Sequence, residues 1–225
     1  LNREDWRVDR TDGTATSWSV PRFILNHAVT AGEGGSVATV RAHLFSPDYD
    51  ALAAPDASRL LGQRARGAVR DALGLRTAGR YPAGTYPLLI DYALAKGLAH
   101  EAFGHAAEAD GFRSSILAKD GRFRTGDPVG AAHVSIVDEP VAGDHAFQPY
   151  SANGLLRERV TIVKRGRLAG ALADPWSAAA SGIASTGAER AASYRNAPIP
   201  RMSNIRIEAE GALPAPGTFE DYGPG

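Results

Sequence analysis

Two histidines and a glutamate stand close together in the stretch His100-Glu101-Ala102-Phe103-Gly104-His105. Imidazoles and carboxylates are zinc-binding groups, and a glutamate beside the first of two helical histidines is the arrangement that zinc peptidases use as a general base. The usual spacing of such a pair is i, i+4, whereas His100 and His105 are an i, i+5 pair. On an ideal α-helix these side chains point roughly 140° apart, too far to converge on one tetrahedral metal about 2 Å from each. One additional residue taken up in a π-turn returns both to one face, and Gly104 is the expected place for the distortion. On this reading His100 and His105 are ligands of a single Zn2+. Glu101 accepts a proton from the attacking water and passes it to the leaving amine, with the scissile carbonyl polarised by the metal. Spacing alone does not separate this from a pair of hydrogen-bonded helix histidines.

The elements that must hold this stretch can be read from periodicity. A helix is predicted from about Tyr92 to Ala109, preceded by a short buried strand at Tyr86 to Asp91. Glu108 lies three residues after His105, on a neighbouring helical face, and is expected to orient an imidazole from behind; Asp110 could do the same or face solvent. Upstream, Trp6 to Arg10, Thr14 to Val20, Phe23 to Thr30 and the alternating run Ser36 to Leu44 read as an antiparallel meander with turns at Asp12-Gly13 and Gly32 to Gly35. Pro55-Asp56 opens a helix to about Leu73, with Gly74 as its stop and an apolar stripe of Leu60, Leu61, Ala65, Ala68, Val69, Ala72 and Leu73. Downstream, a loop spans Lys119 to Pro128 and a strand Ala132 to Asp138. Arg159 to Lys164 and Leu168 to Leu172 then flank Arg165-Gly166-Arg167 as a hairpin. The expected fold class is α+β, with antiparallel sheets at both ends of the chain and two principal helices between, one carrying the histidines. Residues 1–77 are expected as an N-terminal meander and helix, and residues 78–225 as a metal-site domain, a partial C-terminal domain.

The wider string His100-Glu101-Ala102-Phe103-Gly104-His105-Ala106-Ala107-Glu108-Ala109-Asp110 resembles the HExxxH signature H-E-A-x-G-H-x-x-E-x-D of the TldD/PmbA metalloproteases, also called modulators of DNA gyrase. A second block, Ser193-Tyr194-Arg195-Asn196-Ala197-Pro198-Ile199-Pro200-Arg201-Met202-Ser203-Asn204, is similar to that family's S-Y-x-x-x-P-x-P-R-M-[ST]-N segment. Arg165 to Gly170 resembles its N-G-x-L-x-G hairpin, and Arg10 to Gly13 fits the strand turn upstream. Pro198 and Pro200 remove two amide donors, which keeps this segment out of a sheet interior and suits it to line a groove. Arg201 is then a candidate for a substrate carboxylate or carbonyl and Asn204 for a peptide amide, with bracing of neighbouring loops as the equally weighted alternative.

The resemblance implies a zinc-dependent metallopeptidase that acts on unfolded peptides or small peptide-derived substrates. It also implies a dimer, with a second copy or with a metal-free homologue. Family members are about twice this length and complete their zinc with a cysteine near the C-terminus, whereas this chain has no cysteine. The third position then falls to a segment outside this chain or to a carboxylate, His133 or water; a non-catalytic scaffold subunit is the alternative function. The chain starts at Leu1 without Met and stops at Tyr222-Gly223-Pro224-Gly225, so a piece of a longer protein is expected.

Composition narrows the classes further. Lys and Arg number 25 and Asp and Glu 25, so no basic surplus argues for a nucleic-acid partner. Without cysteine there is no disulfide framework and no thiol nucleophile. No apolar run approaches the roughly 20 residues that span a bilayer, and Leu1 to Asp5 lacks signal-peptide order, so a cytoplasmic setting without membrane contact is the expectation. His27, His43, His133 and His145 have no ligand-like spacing and are expected to be structural.

Overall fold

The structure, a computed structural model, describes residues 2–209; the chain end at Tyr222 to Gly225 lies outside the described residues. Mixed helix and antiparallel sheet make up the chain, the expected α+β class. Strands β1 (Asn2–Asp9), β2 (Ala15–Glu33) and β3 (Ser36–Ser46) form a three-stranded sheet in that order. Gly34 and Gly35, at φ 57° and 86°, close the two-residue β2–β3 turn, where a side chain would be strained. A break between Val20 and Phe23 was expected; instead β2 runs through Pro21 as one strand. Pairing with β3 starts only at Phe23, so the missing Pro21 amide removes no bond from that ladder.

The described residues form two compact units. The first contains residues up to Asp5, Ser19–Tyr86 and Gly143–His145. Here helix α1 (Tyr49–Ala53) precedes α2 (Pro55–Thr77), which packs on β3. Ala42 and Leu44 are buried on the inward face of β3, following the alternation of the sequence, and Ala68 and Ala72 are buried on the facing side of α2. The predicted stripe on α2 is too wide: Leu60, Val69 and Leu73 are exposed, Leu61 is half-buried, and Ala68 and Ala72 alone are buried on this helix. Nor does Gly74 stop the helix. It has no left-handed φ, and α2 continues to Thr77.

The second unit contains Trp6–Trp18, Pro87–Ala142 and residues from Ala146 on. The stretch Tyr86 to Asp91, expected as a buried strand, is irregular, with Leu88 81% exposed. Pro87 removes an amide from a run with no strand beside it. Helix α3 is short (Tyr92–Leu98) and continues into a π-turn, Ala99–Gly104, and 3-10 turns at His105–Ala107 and Ala109–Gly111. Two small strands, β4 (Ala118–Lys119) and β5 (Arg122–Phe123), then make a hairpin inside the expected loop, turning on Asp120 and Gly121 at φ 52° and 74°.

Strands β6 (Val134–Glu139), β7 (Val160–Lys164) and β8 (Arg167–Leu168) follow. Helix α4 (Pro175–Ser181), β9 (Glu189–Arg190), β10 (Ile199–Pro200) and β11 (Asn204–Ala209) complete the unit. The principal sheet is antiparallel in the order β11-β6-β7-β8, and β10 pairs with β9 in a separate two-stranded ladder. Its core gathers Ile136, Ile162, Val163, Leu168, Leu172 and Ile205 against Ala99 and Ala107 of the histidine segment. The π-turn therefore lies directly on the sheet, packed on β6 and β11.

Candidate metal centre

Asp91 starts the segment by accepting the Leu94 amide at 2.8 Å, an N-cap that orients α3. Seven residues later the register changes. The backbone N–H of His105 donates to the carbonyl of His100, an i, i+5 bond between the two candidate ligands themselves. Their rings meet edge to face, with centroids 4.7 Å apart and planes at 88°. Imidazole nitrogens of His100 and His105 and a carboxylate oxygen of Glu101 all lie within 4.8 Å of one another. The π-turn thus removes the roughly 140° divergence that an ideal helix would impose.

Gly104 enables this differently from expectation. Its φ and ψ, −61° and −61°, are ordinary right-handed helix values that any residue adopts. What excludes a side chain is packing: a Cβ there would overlap Met202 Sδ and stand 3.0 Å from Ile205 Cδ1, both on buried residues. Gly104→Ala is expected to destabilise the fold by about 1–3 kcal/mol through overpacking, measurable as a lowered denaturation midpoint.

After Ala107 the helix ends at Glu108, whose φ and ψ of −71° and 118° are extended. The break is held by two backbone bonds to β-structure, Leu172 N–H to Ala107 O and Ala109 N–H to Leu172 O, each 2.9 Å. It turns the Glu108 carboxylate back under His105, with both oxygens 3.2 Å from Nδ1. Arg201 Nη1 donates to the same carboxylate at 2.9 Å and to its own Pro200 carbonyl at 2.7 Å. Burial pushes the Glu108 carboxyl above its ordinary value, while the bond from His105 and the Arg201 charge pull it back down. Burial is also the main cause that lowers His100, followed by the His105 charge, so its imidazole resists protonation.

The structure places the remaining sequence candidates as follows. Glu101 is exposed in the cluster with the two histidines. Arg201 is about one third exposed and occupied with Glu108. Asn204, at 6% exposure, begins β11 opposite Glu139 inside the sheet. Asp110 is exposed and lines an open cleft of about 1250 Å3 with Arg113, Arg122 and Trp176. His133 is absent from the cluster, and His145 packs edge to face on Phe45.

Sequence reasoning missed one pair. Asp138 and Arg157, 1% and 4% exposed, form a buried ion pair at 3.5 Å that also secures Arg201. The signal was a carboxylate, Asp138, directly continuing the mostly apolar strand run Val134 to Val137.

Two imidazoles and a glutamate thus come together on a π-turn packed against the sheet. The chain belongs to the family described as the PmbA/TldA metallopeptidase C-terminal domain, whose model matches residues 83–221. A Haemophilus influenzae protein named "Metalloprotease TldD homolog" is 31% identical over 146 residues, 64% of this chain and 30% of that protein. A Saccharolobus solfataricus protein named "Zinc metalloprotease TldD homolog" is 34% identical over 129 residues, 56% of this chain and 28% of that one. The chain spans about 30% of the length of such relatives. Among solved structures, TldE from Thermococcus kodakarensis has a TM-score of 0.66 at 14% identity, over 94% of this chain and 45% of its own. A Thermotoga maritima protein described as a candidate modulator of a DNA gyrase reaches 0.69 at 20%, over 93% and 44%. These two likenesses establish the fold. Among the described residues no helix is long and apolar enough to cross a membrane.

Proposed function

We propose that His100 and His105 are ligands of one zinc ion and that Glu101 is the general base of a peptide-bond hydrolase acting on unfolded peptides or small peptide-derived substrates. The observation that carries this reading is the His105-to-His100 π-type hydrogen bond, which brings two imidazoles and a carboxylate within 4.8 Å. The donor set fits zinc, which takes nitrogen and oxygen ligands readily. With Glu108 on Nδ1 of His105, Nε2 is the nitrogen left to bind metal. When bound, the ion supplies Lewis acidity to the scissile carbonyl and to the attacking water. Glu101, whose carboxylate lies in the same cluster as both imidazoles, would take the proton of the attacking water and return it to the departing amine. Glu108 and Arg201 keep the His105 ring in one orientation and one tautomer while this happens.

Protons compete with metal for the imidazoles. Zinc affinity is therefore expected to fall as pH drops into the acid range, His100 taking up its competing proton below the ordinary imidazole range because burial lowers it. An affinity that rises in acid would contradict the assignment. The hydrolase reading is tested by stripping the protein with a chelator: peptide cleavage should stop and return on adding zinc, and cleavage that persists in the stripped protein rules it out.

A second reading is a scaffold subunit without catalysis, which predicts no zinc in the wild-type protein. On either reading we place the chain in a dimer, with a second copy or with a metal-free homologue, in the cytoplasm and without a nucleic-acid partner.

A further inference from the structure

We propose that Arg157 is a positioning residue for the metal centre, acting on His105 through Arg201 and Glu108; the proposal rests on the zinc reading given above. Arg157 lies on the chain just before β7 and is 4% exposed. Its guanidinium joins three separate segments. Nη1 donates to the Glu189 carbonyl on β9 at 3.1 Å, and Nη2 donates to the Arg201 carbonyl at 2.8 Å. Asp138 on β6 stands 3.5 Å from Nη2 and accepts the Ser203 amide at 2.8 Å. Arg201 is thus held on both sides of its backbone, since its own amide donates to the Ala188 carbonyl at 2.8 Å.

A side chain fixed at its backbone can deliver a fixed charge. From this anchored position Arg201 Nη1 reaches Glu108 at 2.9 Å, and Glu108 meets His105 Nδ1 at 3.2 Å. The connected path runs Asp138, Arg157, the Arg201 main chain, the Arg201 side chain, Glu108, His105. Planar guanidinium geometry is needed at its centre, because one group must satisfy two carbonyls from different segments in fixed directions while facing a carboxylate. Lysine keeps the charge beside Asp138 but cannot reproduce that fork. Partners behind a metal-bound histidine are worth about 10- to 100-fold in metal affinity.

The test uses zinc titration of this chain against a competing chromophoric chelator, with wild type, Arg157→Lys, Arg201→Met and the double variant. Folding of each is checked by its thermal transition. Zinc binding by the wild type is read first; if it is absent, the zinc reading itself fails and this proposal falls with it. Given binding, Arg157→Lys is expected to weaken it by about tenfold and Arg201→Met by a similar factor, with the double variant no weaker than Arg201→Met alone. Two factors that multiply would show that Arg157 acts independently of Arg201, and unchanged affinity in folded Arg157→Lys would show that it does not act at all. Either result overturns the proposal while leaving the zinc centre standing. A second readout needs no metal and leaves the buried pair intact: the 15N resonances of His105 in the apo protein should report a single Nδ1–H tautomer in wild type and a mixture in Arg201→Met. The same spectrum in both would break the path at its last step.

Discussion

Glu101→Gln is expected to retain zinc and to lose peptide hydrolysis by about 100- to 10,000-fold, the range over which a positioned acid-base group contributes. Glutamine matches glutamate in shape and leaves His100 and His105 untouched, but it cannot accept the proton of the attacking water. Metal content and turnover must be measured on the same preparation, because the Glu101 carboxylate lies within the same 4.8 Å cluster as both imidazoles. Retained zinc with lost turnover assigns the base. Turnover near the wild-type rate would remove Glu101 from that role, and loss of zinc would make it a ligand, the carboxylate option for a third donor in a chain without cysteine.

The largest stability effect is expected at Arg157. Arg157→Met leaves the Asp138 carboxylate buried without its cation, at a cost of about 3–5 kcal/mol, a large share of the stability of a typical domain. The pH dependence carries a sign. Burial already pushes the Asp138 carboxyl above its ordinary value, and the Arg157 charge opposes that push. Without the arginine the folded-state value rises further, so the folded protein binds a proton more tightly than the unfolded one. The deficit should therefore shrink as pH falls through the raised value and be full above it. Denaturant unfolding of wild type and variant near pH 5 and pH 8 checks this; a difference that grows in acid would contradict it.

The distortion at the histidines was legible from their spacing, although the regular helix is shorter than expected. An i, i+5 pair can share a metal only if the helix is distorted, and the π-turn at Ala99–Gly104 is that distortion. The reason for Gly104 was not legible, since it depends on Met202 and Ile205, about a hundred residues away and brought near only by folding. The end of the helix at Glu108 was hidden for the same cause: nothing local stops it, and Leu172 captures the backbone from another part of the chain. The alternation in β3 was readable because one face is buried against α2, whereas the apolar run at Tyr86 to Asp91 has the composition of a strand without a partner.

Two local signals were present but passed over. Asp174 before Pro175 and Trp176, with Ser177 at the third position, is a capping box that starts α4. Asp120-Gly121 is a two-residue hairpin turn, and it closes β4 and β5. The Asp138–Arg157 pair and the path from Arg157 to His105 belong to a different class. They are made of residues far apart in the chain, whose types say only that each needs a partner when buried.

On the proposed reading the two histidines of the π-turn bind zinc, and elemental analysis of the protein decides it. Wild-type protein purified without chelator should contain close to one zinc per chain, and His100→Ala and His105→Ala should each contain far less while keeping the wild-type thermal transition. Wild-type protein with well under one zinc per chain, or variants that retain it, would show that these histidines do not hold zinc.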